Sequence, residues 1–68
     1  MKDIDKVQQA YEADIQRLEE QRKKMAKLLE ELTDDWSKLR VRTMIARLDA
    51  AILTLQVELN DLIARKRS

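Results

Sequence analysis

Neither glycine nor proline occurs in this 68-residue chain, so the two residue types that most often form tight turns and break helices are missing. Charged residues make up 40% of the chain, and aromatic residues only 3%. Together with abundant leucine and alanine, this composition is typical of long helices and coiled coils. We therefore predict an all-α protein that forms a single domain over residues 1–68.

Cysteine and histidine are also absent, and this removes whole classes of chemistry. Without them there is no thiolate nucleophile, no cysteine-based zinc site and no imidazole base. The absence of glycine excludes phosphate-cradling loops of the P-loop type. We therefore predict no enzyme activity, no catalytic residue, no metal site and no cofactor.

The first half of the chain predicts one amphipathic helix over about residues 3–32. Apolar residues recur at alternating spacings of three and four, which is the heptad rule, with one charged residue in the series. This seam is Ile4, Val7, Tyr11, Ile15, Leu18, Arg22, Met25, Leu29 and Leu32.

The second half predicts a helix over about residues 35–65 that is apolar on two sides. Its main seam is Val41, Ile45, Leu48, Ile52, Leu55, Leu59 and Leu62. A second stripe is Ala46, Ala50, Leu53, Val57, Asn60 and Ala64. At about 100° per residue the two lie on nearly opposite sides of the helix, which indicates neighbours on both sides.

Residues 33–37 predict a break between the helices. Thr33, Asp34 and Ser37 are residue types that favour helix caps, and each is a candidate cap for the second helix. In addition, the seam changes phase here. Continued in register, the first helix would have its seam at Trp36, Leu39, Thr43, Ala46, Ala50 and Leu53, whereas the main seam of the second helix is offset by two residues.

The phase change favours an antiparallel αα-hairpin in which facing residues have numbers that add up to about 70. The alternative is one continuous helix of about 90 Å that assembles with copies of itself. A two-helix hairpin alone leaves the outer side of each helix uncovered and is rarely stable. We therefore predict self-association as a dimeric four-helix bundle or coiled coil.

The second stripe predicts where that dimer forms, because small residues let two helices approach closely. The expected dimer interface is Ala46, Ala50, Leu53, Val57 and Ala64. In the alternative interpretation, the alanines only favour the helix, and Leu53 and Val57 are scattered surface residues.

Arg22 is the charged residue within the first seam, and the register places it beside Asp49. We predict an ion pair that fixes the register, as polar residues in coiled-coil seams do. The alternative is an anion site inside the bundle.

Basic residues are frequent near the turn, and a band of them is a candidate phosphate-binding surface. These residues are Lys23, Lys24, Lys27, Lys38, Arg40, Arg42 and Arg47. There are two alternatives for this band. It is a mixed-charge face that is exposed to solvent, or it binds an acidic protein.

Trp36 has two interpretations: it packs over the end of the bundle core, or it is an exposed anchor for a protein partner. In length and heptad pattern, the chain resembles small plasmid-encoded hairpin dimers of the Rop type, a resemblance that implies RNA binding by a four-helix bundle.

The sequence predicts a homo-oligomeric helical module that binds a protein partner in the cytoplasm, with no membrane span. The alternatives are a small nucleic-acid-binding regulator of the Rop type, and a purely structural or designed oligomerisation element.

Overall fold

The computed structural model describes residues 3–67, and these form two long helices joined by a short connection. Helix α1 is Asp3–Glu31 and helix α2 is Asp35–Arg67. The helices run antiparallel, because Tyr11 contacts Glu58 and Arg22 contacts Asp49. The molecule is a narrow rod of 51 × 17 × 11 Å. The hairpin prediction is therefore confirmed, and the chain is not one continuous helix.

The register also agrees with the prediction. The numbers of Tyr11 and Glu58 add up to 69, and those of Arg22 and Asp49 add up to 71. Both values lie within one residue of 70. The seam of α1 and the main seam of α2, which together we call the inner seam, therefore face each other along most of the rod.

Three residues, 32–34, reverse the chain without glycine or proline. The Asp34 carboxylate accepts a hydrogen bond from the Ser37 backbone N–H at 2.8 Å. The Asp34 carbonyl accepts the first helical hydrogen bond of α2, from the Lys38 N–H at 3.1 Å. Asp34 is therefore the N-cap of α2, and of the three candidates it is the residue that caps. The bond from Ser37 lowers the pKa of the Asp34 carboxyl below its usual value.

The helix ends differ slightly from the predicted bounds. Helix α1 ends one residue earlier than expected, because Leu32 belongs to the reversal. Helix α2 continues two residues beyond Arg65, and its last turn contains Arg65, Lys66 and Arg67. Positive charge at a helix C-terminus interacts favourably with the helix dipole, which favours this extension.

The core is a single row of apolar side chains between the helices. Only Ile15, Val41 and Ile52 are buried among the described residues, and each keeps 6–8% of its surface exposed. The other main-seam residues of α2 are half-buried, as predicted. In α1, Val7 departs from the pattern at 45% exposure. Neither helix, over residues 3–67, is apolar enough to span a membrane.

The role of the Asp34 cap in reversing the chain can be tested by substitution. Asp34→Ala removes the acceptor for the Ser37 N–H, and we expect the melting temperature to fall by about 4–8 °C. Thr33→Ala is the matched control, because no hydrogen bond of the Thr33 side chain occurs within residues 3–67 and its substitution should change little.

The effect of Asp34→Ala should depend on pH. A lowered carboxyl pKa stabilises the fold above the unfolded-state pKa of about 3.8, and that contribution disappears as the pH falls through the folded-state value. Thermal unfolding monitored by circular dichroism at pH 7 and pH 2 measures both effects. An equal difference in melting temperature at the two pH values would contradict this role for Asp34.

Candidate interaction surface

The side of α2 that faces away from α1 carries a stripe of seven apolar and two polar residues, which we call the outer stripe. Its nine residues follow one another at spacings of three and four over about 42 Å. They are Trp36, Leu39, Thr43, Ala46, Ala50, Leu53, Val57, Asn60 and Ala64. All nine are exposed in the hairpin. Leu39, Leu53 and Val57 are each about 60% exposed, at 60%, 61% and 59%.

The five residues predicted for a dimer interface all belong to this stripe. Their exposure makes them available to a partner, and whether a second copy covers them stays a prediction. Trp36, Leu39 and Thr43 extend the stripe to the first turn of α2. The sequence already carried the signal for this extension, because the same three–four spacing continues through them without a gap.

Trp36 is 69% exposed at the start of α2. It does not cover the end of the hairpin core, and whether it packs over the core of a bundle stays a prediction. The guanidinium of Arg40 lies over its ring, 5.4 Å from the ring centroid. This cation–π contact holds the indole along the surface of α2.

The basic residues near the turn are divided between several surfaces. Helical periodicity places Arg40 and Arg47 on one side of α2, and Lys38 and Arg42 on another. On α1, Lys23 pairs with Glu20 at 3.6 Å within the helix. Lys27 and Arg42 form no ion pair among the residues described.

Lys24 and Arg47 meet across the two helices at an open groove of about 500 Å³. The groove is lined by Gln21, Lys24, Met25, Met44, Arg47 and Leu48. Its floor is apolar and its rim carries two positive charges. This groove brings together one predicted phosphate-binding residue from each helix.

Arg22 and Asp49 are in contact, with the Arg22 Nε 2.5 Å from the Asp49 Oδ1. Both side chains are about half exposed, at 44% and 50%. The guanidinium leaves the seam at its edge and reaches water, as long basic side chains do. An exposed pair of this kind contributes little to stability, so its value would lie in favouring one register.

Three further cross-helix contacts were not predicted from the sequence. The Tyr11 hydroxyl donates a hydrogen bond to the Glu58 carboxylate at 2.7 Å. At the open end of the hairpin, the Lys66 ammonium pairs with Asp5 and donates to the Gln8 Oε1 at 3.3 Å. The pair sums of 69 for Tyr11 and Glu58 and 71 for Asp5 and Lys66 fit the register, so the same arithmetic could have found both.

The hydrogen bond to Glu58 raises the pKa of the Tyr11 hydroxyl, because the negative carboxylate favours the protonated phenol. Partial burial and the charge of Glu58 act in the same direction. The fold therefore gains a contribution that is present below pH 10 and is lost as the pH rises through the folded-state pKa.

Residues 3–67 contain no group of three or more carboxylates arranged to hold a metal ion. In comparisons with known proteins, no protein-family model, no curated protein and no solved structure matches the chain.

The Arg22–Asp49 contact can be measured with a double-mutant cycle. We expect Arg22→Ala and Asp49→Ala to show a coupling free energy of about 0.2–1 kcal/mol in urea unfolding, decreasing at high salt. A parallel cycle on Arg17 and Asp14, which pair within α1 at 3.2 Å, is the control for a purely local pair. If Arg22→Leu raises stability while the hairpin and its oligomeric state stay unchanged, the register role is wrong.

The Tyr11 contact can be tested by titration, because this is the only tyrosine in the chain. Ultraviolet absorbance should show the phenol ionising above pH 10, and Glu58→Gln should bring its pKa back toward that value, since the negative acceptor is gone. Glu12→Gln is the control beside Tyr11, because Glu12 does not contact the hydroxyl. An unchanged titration in Glu58→Gln would contradict the contact.

Proposed function

We propose that this chain is a non-enzymatic helical interaction module that self-associates as a dimer through the outer stripe. The observation that carries the proposal is the stripe itself: nine positions in unbroken heptad spacing, all exposed. Scattered surface apolar residues are normal, whereas a run of apolar residues aligned along one side of a helix, here broken only by Thr43 and Asn60, marks an interaction site. Its period is the one that a second helix packs against.

The thin core of the hairpin supports the same proposal. A chain of this size, in which only three apolar side chains of residues 3–67 are buried, has little apolar burial to offset the entropy of ordering two long helices. Covering the outer stripe would add a second apolar layer on the opposite side of α2. Association would therefore stabilise the same fold that creates the surface.

We propose in addition that the dimer binds a different protein, and that Trp36 is the residue that anchors this partner. Tryptophan is enriched among interface residues that contribute most to affinity, and Arg40 already orients this one. We expect the module to act in the cytoplasm.

A second candidate is binding of nucleic acid, and the groove between Lys24 and Arg47 is the observation that favours it. Residues 22–48 carry eight basic and four acidic residues, so the turn half of the rod is locally positive although the chain is nearly neutral. A real phosphate site would lose affinity steeply with added salt. Weak binding of a labelled RNA duplex, unaffected by Lys24→Glu with Arg47→Glu, would exclude this candidate.

Sedimentation across the micromolar range tests the proposed function. We expect a dimer for the unmodified protein, and a monomer for Ala50→Glu, because that substitution buries a charge in the middle of the stripe. Ala13→Glu is the matched control, since Ala13 is an exposed alanine of α1 outside the inner seam and should leave the dimer intact.

Either of two results would contradict the proposal. The first is a monomer throughout the micromolar range. The second is a dimer that Ala50→Glu and Ala13→Glu affect equally, since that would place the interface elsewhere.

A further inference from the structure

We propose that the occupant of the outer stripe is α2 of a second copy, lying antiparallel, in a register where facing residues have numbers that add up to 103. Ala50 of one copy then faces Leu53 of the other. This inference rests on the proposed self-association and adds its orientation and register. It is argued from the sizes and charges that the structure exposes along one side of α2.

The length of the stripe fits this register. The two-fold axis crosses α2 between residues 51 and 52, near the middle of Asp35–Arg67. The two copies of α2 therefore overlap over their whole length. In a two-fold dimer each contact occurs twice, because residue i meets j and residue j meets i.

Residue sizes complement each other in every apolar layer of this register. A large side chain always faces a small one, which lets layers interdigitate at close approach. The apolar layers are Leu39 with Ala64, Ala46 with Val57, and Ala50 with Leu53.

The two polar residues of the stripe meet in one layer, Thr43 with Asn60. The Thr43 hydroxyl donates to the Leu39 carbonyl at 3.0 Å within α2, and the Asn60 side chain is exposed with no hydrogen-bond partner among the described residues. A polar group in a seam costs least where it faces another polar group, and such layers select a register.

The flanks of the stripe supply charge complementarity. On one side, Arg40 of each copy lies beside Asp61 of the other, and Arg47 lies beside Thr54. On the other side, Asp49 lies beside Gln56. No like charges meet on either flank. Within one copy, Arg40 lies over the Trp36 ring and forms no ion pair with residues 3–67, and Asp61 makes an exposed pair with Arg65 at 3.2 Å, so both charges remain at the surface.

A parallel arrangement fits these residues less well. With the two copies in register, Ala50 would face Ala50 and Leu53 would face Leu53, so two small layers would be followed by two large ones and the small layers would leave gaps. Arg42 would also lie beside Arg47 of the other helix. Like charges on the flanks of a seam oppose that pairing.

Shifting the antiparallel helices by one heptad fits less well too. A sum of 96 would place Arg47 beside Arg47 and Asp49 beside Asp49. It would also set Thr43 against Leu53. The sum of 103 is favoured because it satisfies the sizes, the polar layer and the flanking charges together.

The resulting assembly is a row of four helices with the two copies of α2 in the centre. Helix α1 stays on the far side of each α2, because the inner seam and the outer stripe are nearly opposite. The start of each α2, with Trp36 and its cation–π partner, lies against the C-terminal turn of the other.

Disulfide trapping tests the register directly, because the chain contains no cysteine of its own. We would mix Ala46→Cys protein with Val57→Cys protein under mild oxidation and identify the products by mass. In the proposed register residues 46 and 57 face each other, whereas two copies of residue 46, or of residue 57, are offset by about 16 Å along the axis.

The expected result is a mixed disulfide at least about ten times more abundant than either symmetric one. Leu39→Cys mixed with Ala64→Cys is a second, independent pair with the same expectation. If a cysteine of the first pair weakens the dimer, this second pair still reports the register.

A charge exchange provides a readout that does not depend on cysteine. Asp61→Lys and Arg40→Glu should each raise the dimer dissociation constant roughly tenfold, because like charges then meet twice, and the double variant should restore it. In a parallel dimer Asp61 would face Gln56, so Asp61→Lys would leave the constant unchanged.

The outcomes separate this inference from the proposed function. Symmetric disulfides with an intact dimer would overturn the antiparallel register and leave the proposed function standing. A dimer that gives no cross-link with either cysteine pair would also overturn the register. A monomeric unmodified protein would overturn both.

Discussion

A helix of this composition is marginal in water by itself, because propensity and surface ion pairs contribute only tenths of a kcal/mol each. What holds both helices is the row of apolar side chains between them, of which Ile15, Val41 and Ile52 are the most deeply buried. The register follows from that contact, since sliding one helix would separate these residues from their partners. The cross-helix polar contacts lie beside the row and depend on it.

The two helices differ in a way that gives the molecule its surface. Helix α1 has one apolar face, and the hairpin uses it. Helix α2 has two, and the hairpin can cover only one, because a single partner helix reaches only one side. The outer stripe is therefore a direct consequence of folding α1 against the main seam. Its exposure connects the fold to the proposed function.

Much of the fold could be predicted because helical periodicity is a local property. The seams, the phase change and the sum of about 70 came from residue spacing alone, and the hairpin agrees with them. The bounds differed by one or two residues, because the spacing does not tell which residue of a turn still makes a helical hydrogen bond. The same limit left Thr33, Asp34 and Ser37 as equal candidates for the cap, until the Ser37 N–H was found to point at the Asp34 carboxylate.

The candidate surface was predicted in part. Six of its nine residues were predicted as a second stripe, whereas Trp36, Leu39 and Thr43 were joined to it only once α2 was seen to begin at Asp35. By itself the sequence determined that the chain is helical, that it changes phase near residue 33, and that the second helix is apolar on two sides. The tertiary structure decided which of those sides is covered, which residue caps the turn, and that Trp36 lies open with Arg40 over its ring. Spacing along a helix sets the direction of each side chain, but exposure depends on where the other helix comes to lie.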